Sequence, residues 1–216
     1  MSGRKMGRRV FIASSAAAVM TSVGSGQASK NHERWGVSRI DRNLSSDGRS
    51  MKVVFVAHCA LNQNSRHVDC ADFPAMFEGL LEGLRSMKVG IVQMPCPEFT
   101  GIGLARDWPK ETIRESLDDP VPTGRLQEKV DEIIYQIREY RRQKVHVVGI
   151  LGKNGSPSCA VERRVFDNGH VATEGVFIRL LREALERENL TDVGLKGLDD
   201  HRQEEAVEWV RSRLSA

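Results

Sequence analysis

What this sequence does without narrows its function first. It has only four cysteines in 216 residues and no Cys-x-x-Cys pair. That speaks against a redox dithiol and against the disulfide scaffold of a small secreted domain. Aromatic residues make up 6% of the chain. There is no internal repeat, and Gly101-Ile102-Gly103 lacks the third glycine and the strand–turn–helix setting of a dinucleotide site. The apolar stretch from Val10 to Val23 is short and broken by serines, so no stable membrane span is expected. A strongly basic face is missing too. Residues 1–50 hold nine Lys/Arg against three Asp/Glu, which leaves 23 against 26 for the remainder. The formal charge of +3 therefore belongs to the N-terminal arm. A mildly acidic, aromatic-poor body does not suit a nucleic-acid polymer as partner.

The arm admits two readings. Arg8-Arg9-Val10-Phe11-Ile12, the Ala/Ser/Val run and Gly26-Gln27-Ala28 together look like a twin-arginine export signal with a small-residue cleavage site. Alternatively, residues 1–50 are a disordered extension, and a cytoplasmic enzyme starts near Met51. The cytoplasmic reading is preferred. Either way, residues 51–216 are expected to hold the fold.

That body alternates strand-like and helix-like segments. Val53–Ala57, Val89–Met94 and Val145–Leu151 are β-branched runs, and Asp192–Leu198 is expected to hold a short fourth strand. Helical spacing marks Phe73–Met87, Arg125–Arg142, Glu174–Asn189 and Asp200–Leu214, while Glu98–Arg106 and Asp118–Thr123 are expected to be irregular. The alternation predicts an α/β fold, a single Rossmann-like domain with a short parallel sheet flanked by helices.

Three of the four cysteines stand just past a predicted strand. Cys59 follows the first, Cys96 lies in Met94-Pro95-Cys96-Pro97-Glu98, and Cys159 ends Gly152-Lys153-Asn154-Gly155-Ser156-Pro157-Ser158-Cys159. If the strands are parallel, the three thiols meet at the C-terminal edge of one sheet, where open α/β sheets bind ligands. Zinc usually takes four ligands, often as close pairs. A cysteine nucleophile needs a base, and His58, adjacent to Cys59, is poorly placed to serve. An iron–sulfur cluster suits three dispersed thiolates better, with one iron left open for substrate. Cys70 is either a fourth ligand or an ordinary buried thiol, and the second reading is taken.

The segments His58–Asn64, Met94–Glu98 and Gly155–Cys159 resemble the 2-thiouracil desulfurase family and its TudS-related desulfidases, over roughly residues 51–198. The resemblance implies a [4Fe–4S] cluster on Cys59, Cys96 and Cys159, supplied by iron–sulfur assembly machinery. It implies an enzyme that replaces the sulfur of a small thiocarbonyl substrate, such as a thiolated nucleobase, with oxygen from water. Ser156 would match the active serine. The first motif departs from the family's usual Ser-x-Cys-Leu-Leu-Gly, reading Ala57-His58-Cys59-Ala60-Leu61-Asn62, so the substrate stays open. Glu98, two residues from a ligand, is the first candidate for a base. It could instead fix the loop through backbone N–H groups. Asn62, Asn64, Arg106 and Lys153 are candidates for binding substrate, the last two through an anionic group. A non-catalytic carrier of iron, zinc or sulfide is the alternative function. The sequence gives no oligomeric state.

Overall fold

The computed structural model describes residues 48–166, 169–171 and 173–215. The N-terminal arm and its export-signal reading lie, through residue 47, outside the described residues. From Arg49 onward the chain forms one compact unit.

Four parallel strands make the central sheet: β1 (Lys52–Val56), β2 (Gly90–Gln93), β3 (His146–Lys153) and β6 (Leu195–Leu198), in the order β2-β1-β3-β6. The helices are α1 (His58–Leu61), α2 (Glu78–Ser86), α3 (Pro97–Ile102), α4 (Ile113–Leu117), α5 (Pro120–Arg142), α6 (Val176–Arg187) and α7 (Gln203–Ser215). A two-stranded antiparallel ribbon, β4 (Arg164–Phe166) and β5 (Gly169–Val171), interrupts the crossover between β3 and α6. The expected α/β architecture with a short parallel sheet flanked by helices is the one observed.

The strand sequences are apolar throughout because both faces of the sheet are covered. On β1, Val53 and Phe55 pack on one side with Leu126, Val130, Ile133 and Ile137 of α5 and Phe177 and Leu181 of α6. Val54 and Val56 face the other side, against Leu80 and Leu84 of α2 and Val207 and Val210 of α7. This alternation is the period of two that a strand imposes. The chain runs from β1 to β2 on one side, then returns to β3 on the other. That reversal at β1 opens a crevice beyond the strand ends.

Three element boundaries differ from the sequence expectation. Helix α2 starts at Glu78 rather than Phe73, because the Ala75 carbonyl and Phe77 amide are bonded to Gln63 and Ala60 of the preceding loop. Pro97 and Pro120, read as loop residues, each open a helix. Proline at the first helical position has the right φ and gives up only an N–H that had no partner. Glu98 and Gly101 are thereby helical, and α5 begins five residues earlier than expected. No reading of the sequence anticipated the β4–β5 ribbon. Among the described residues no helix is long and apolar enough to cross a membrane.

Gly149 shows how tightly the sheet meets α7. It follows a register shift between β1 and β3 and has φ of 155°. An added Cβ would lie 2.5 Å from Trp209 Cη2 and 2.7 Å from the Gly194 carbonyl oxygen. Gly149→Ala is expected to destabilise the protein by about 3 kcal/mol, from overpacking and backbone strain together, measured by urea denaturation.

Candidate functional site

Each sheet strand ends at the same edge, and all four ends feed one cavity of about 460 Å³. Cys59 enters it from α1 after β1, Cys96 from the turn after β2, and Cys159 from the loop after β3. The loop after β6 adds Asp199 and Asp200. Cys159 is buried, Cys59 and Cys96 are half-buried, and all are free thiols.

The loops are fixed by their backbones. The first amides of α6, from Val176, Phe177 and Ile178, donate to the carbonyls of Pro157 and Ser158. A helix start needs such acceptors, and here the Cys159 loop supplies them. Ser156 Oγ accepts from the amides of Ser158 (3.2 Å) and Cys159 (3.0 Å). Cys96 is the N-cap of α3, where the nearby Phe99 and Glu98 amides act against the rise that burial imposes on its thiol pKa. Ser158 Oγ reaches the Cys159 sulfur at 3.7 Å, and Arg106 Nη2 reaches that of Cys96 at 3.9 Å.

Burial pushes all three thiols up from their ordinary value, Cys59 to about 12 and Cys159 well above 9.0. The sulfurs also oppose one another's ionisation: Cys96 raises Cys59, and both raise Cys159. Lys153 and Arg66 act in the opposite sense on Cys59. Mutually repelling sulfurs suit a site whose positive charge comes with its metal. Among the described residues no group of three or more His, Cys, Asp or Glu is arranged around a single metal ion. Thiolates of a cubane cluster each bind a different iron, so three separate but converging sulfurs fit that group as a donor set.

Glu98 is buried beside the cysteines. Its Oε1 accepts from Ser158 Oγ at 2.8 Å and Ser156 Oγ at 3.1 Å, and the two hydroxyls are 2.9 Å apart. Its Oε2 accepts from Arg106 Nε at 3.2 Å. The partners are thus two hydroxyls and a guanidinium, not backbone amides. Arg106 also donates to the carbonyls of Leu104 (2.5 Å) and Ser65 (2.6 Å).

Lys153 is buried in the cavity wall, its Nζ 2.7 Å from Asp200 and 2.5 Å from the Asn154 carbonyl. Arg66 is held to the same carboxylate, its Nη1 2.7 Å from Asp200. Asn62 and Asn64 are exposed, bond each other and do not line the cavity. His58 contacts Gln93 Nε2 through Nδ1, and burial lowers its pKa. Cys70 corrects the sequence reading. It is exposed, not buried, and lines the cavity from the polar segment after Ser65. Ser158, Asp199 and Asp200 were missed, although Asp199-Asp200 directly follows the fourth predicted strand and the strand-end rule applied to it equally.

No family model matches the chain. It is 25% identical over 129 residues to the uncharacterised protein MJ0003 of Methanocaldococcus jannaschii, across 60% of this chain and 78% of that protein. Among solved structures it is similar to the [4Fe–4S]-dependent thiouracil desulfidase TudS. That likeness has a TM-score of 0.45 and 19% identity, over 73% of this chain and 97% of the other. At this distance neither relative assigns a function.

Gly175 lets α6 sit against the Cys159 loop. A Cβ there would collide with the Ser158 carbonyl and fall 2.7 Å from the Cys159 amide nitrogen. Gly175→Ala is expected to cost about 2 kcal/mol in urea denaturation. It should also speed alkylation of the buried Cys159, followed by mass spectrometry.

Proposed function

We propose that this chain is a [4Fe–4S]-dependent desulfidase acting on a small thiocarbonyl compound. Cys59, Cys96 and Cys159 would hold the cluster, and water would replace the sulfur. The observation that carries the reading is the meeting of three free thiols from three strand ends in one cavity beside a buried carboxylate–serine set. The motif resemblance of His58–Asn64, Met94–Glu98 and Gly155–Cys159 supports it. When bound, the cluster supplies a soft Lewis acid that prefers sulfur to oxygen.

The chain's own residues supply the rest. Conversion of C=S and water to C=O and hydrogen sulfide leaves no electrons over, so only protons need to be moved. Arg106 holds Glu98 Oε2, which turns Oε1 toward the two serines. Glu98 Oε1 takes the proton of the attacking water, directly or through Ser156 Oγ. The Ser156 hydroxyl, with its neighbour Ser158 at 2.9 Å, then returns a proton to the leaving sulfur or to the substrate's heteroatom. A carrier of iron or sulfide has no use for such an acid–base set.

The test separates cluster binding from catalysis. Glu98→Gln and Ser156→Ala should keep the iron content and visible absorption of the parent. Each should release sulfide from a thiolated substrate on the order of a hundredfold more slowly. Cys96→Ser should lose iron and activity together. Full turnover in both the Glu98 and Ser156 variants would overturn the proton-transfer roles of these two residues. A cluster-loaded protein that turns over no thiolated base, nucleoside or thioamide would favour the carrier instead.

A further inference from the structure

All four cysteines of the chain line the same cavity, although the proposed centre uses only three of them. Cys159 is buried and Cys59 and Cys96 are half-buried, whereas Cys70 is exposed. The sulfurs from the strand ends thus lie deep, and Cys70 stands toward solvent. The turn that carries it is pinned at both ends. Arg66 is held to Asp200 at 2.7 Å and to Gln63 Oε1 at 3.3 Å. Phe73 packs edge-on against Phe77, with ring centroids 5.4 Å apart, and also meets the His201 ring. Among the described residues, His67 to Ala71 hydrogen-bond only with one another. The Cys70 amide donates to the His67 carbonyl at 3.1 Å, and His67 Nδ1 lies 3.1 Å from the Val68 carbonyl oxygen. A short exposed turn bonded to itself can shift without breaking bonds to the body.

Each iron of a cubane cluster takes one ligand from outside the cube. With three corners held by the deep sulfurs, the fourth points away from them, to the open side of the cavity. That is the side Cys70 lines. A thiolate suits a soft iron better than water or a carboxylate does. Asp69 and Asp72, which line the cavity from the same segment, are therefore the weaker competitors for that corner.

We propose that Cys70 is a displaceable fourth ligand of the cluster, which closes the open iron in the resting protein and gives way to the sulfur of an incoming compound. The exchange breaks one iron–sulfur bond and makes another. The released thiolate takes a proton from water, and no electron moves. This role rests on the cluster reading proposed above and adds a gate that ligation by three cysteines alone does not provide. The exposure of the turn is what makes the ligand removable, so Cys70 is neither a permanent fourth ligand nor an inert thiol.

The test uses the full chain, cluster-loaded without air and studied by Mössbauer spectroscopy. In the parent every iron should show a sulfur-only signature. Cys70→Ser should keep the iron content and move one iron of the cube to the higher isomer shift of an oxygen ligand. A distinct iron already present in the parent, or an unchanged spectrum in the variant, overturns the proposal. Displacement is read at Cys70 itself, by iodoacetamide alkylation of the loaded parent located by mass spectrometry. Hydrosulfide, a soft ligand small enough to reach an open iron, is added with the alkylating agent in excess. It should speed alkylation of Cys70 on the order of tenfold by freeing the thiol. An unchanged or slower rate, which mere shielding by the cluster would give, overturns the proposal. A protein whose Cys70 never binds iron, yet which releases sulfide from a thiocarbonyl compound, loses this inference and keeps the desulfidase reading. One whose Cys70 is bound and displaced, yet which turns over no thiocarbonyl compound, keeps this inference and loses that reading. Failure to take up a cluster overturns both.

Discussion

The Glu98–Arg106 pair is the contact on which the geometry of the site depends, because it ties three strand-end loops to one another. Glu98 belongs to the helix that follows β2 and Cys96. Through Oε1 it receives the two serines that precede Cys159, and through Oε2 it receives Arg106. Arg106 in turn reaches the Ser65 carbonyl, in the segment that follows Cys59. Truncating one partner of a buried ion pair outright costs about 3–5 kcal/mol because the other charge is stranded, whereas an amide in place of the Glu98 carboxylate still offers an acceptor to the serines or to Arg106 and leaves the loops in place. On truncation that strain would fall on the loops that carry the sulfurs, and the hydrophobic core beneath them would be spared. The pair therefore acts less as a stabiliser of the fold than as a clasp on its edge.

The sheet beneath supplies the rigidity such a clasp requires. Parallel strands covered on both faces leave little freedom at their ends, and the ladder extends into the loops through Ala57 to the Leu151 carbonyl and Met94 to the Val56 carbonyl. Cys59 and Cys96 thus begin from anchored backbone. Cys159 is anchored differently, by the amide end of α6, which must find acceptors somewhere and finds them in Pro157 and Ser158.

The layers of the fold were legible because burial imposes regular periods. Continuous β-branched runs marked the strands, and Leu126, Val130, Ile133 and Ile137 marked one face of α5. The placement of cysteines beyond strand ends was legible for the same reason. What escaped was set by contacts between segments distant in sequence. Nothing near Asp200 announces that Arg66, 134 residues away, will bond to it. Nothing near Phe73 announces that the following residues will pair with the 60–63 turn instead of starting a helix. Pro97 and Pro120 show a different gap, since proline signals a loop and a helix start with equal force, and only the surrounding chain decides. Cys70 was misread because a thiol's burial follows the segment that carries it, and that segment is polar.

The four strand ends divide their tasks between separate pieces of chain. The sulfurs come from the loops after β1, β2 and β3, whereas Asp199 and Asp200 come from the loop after β6, at the margin of the sheet. A loop at the margin can change length or charge without disturbing the central strands. Diversification of ligand preference in proteins built this way can therefore proceed by exchange of one peripheral loop, with the sulfur-bearing centre inherited intact.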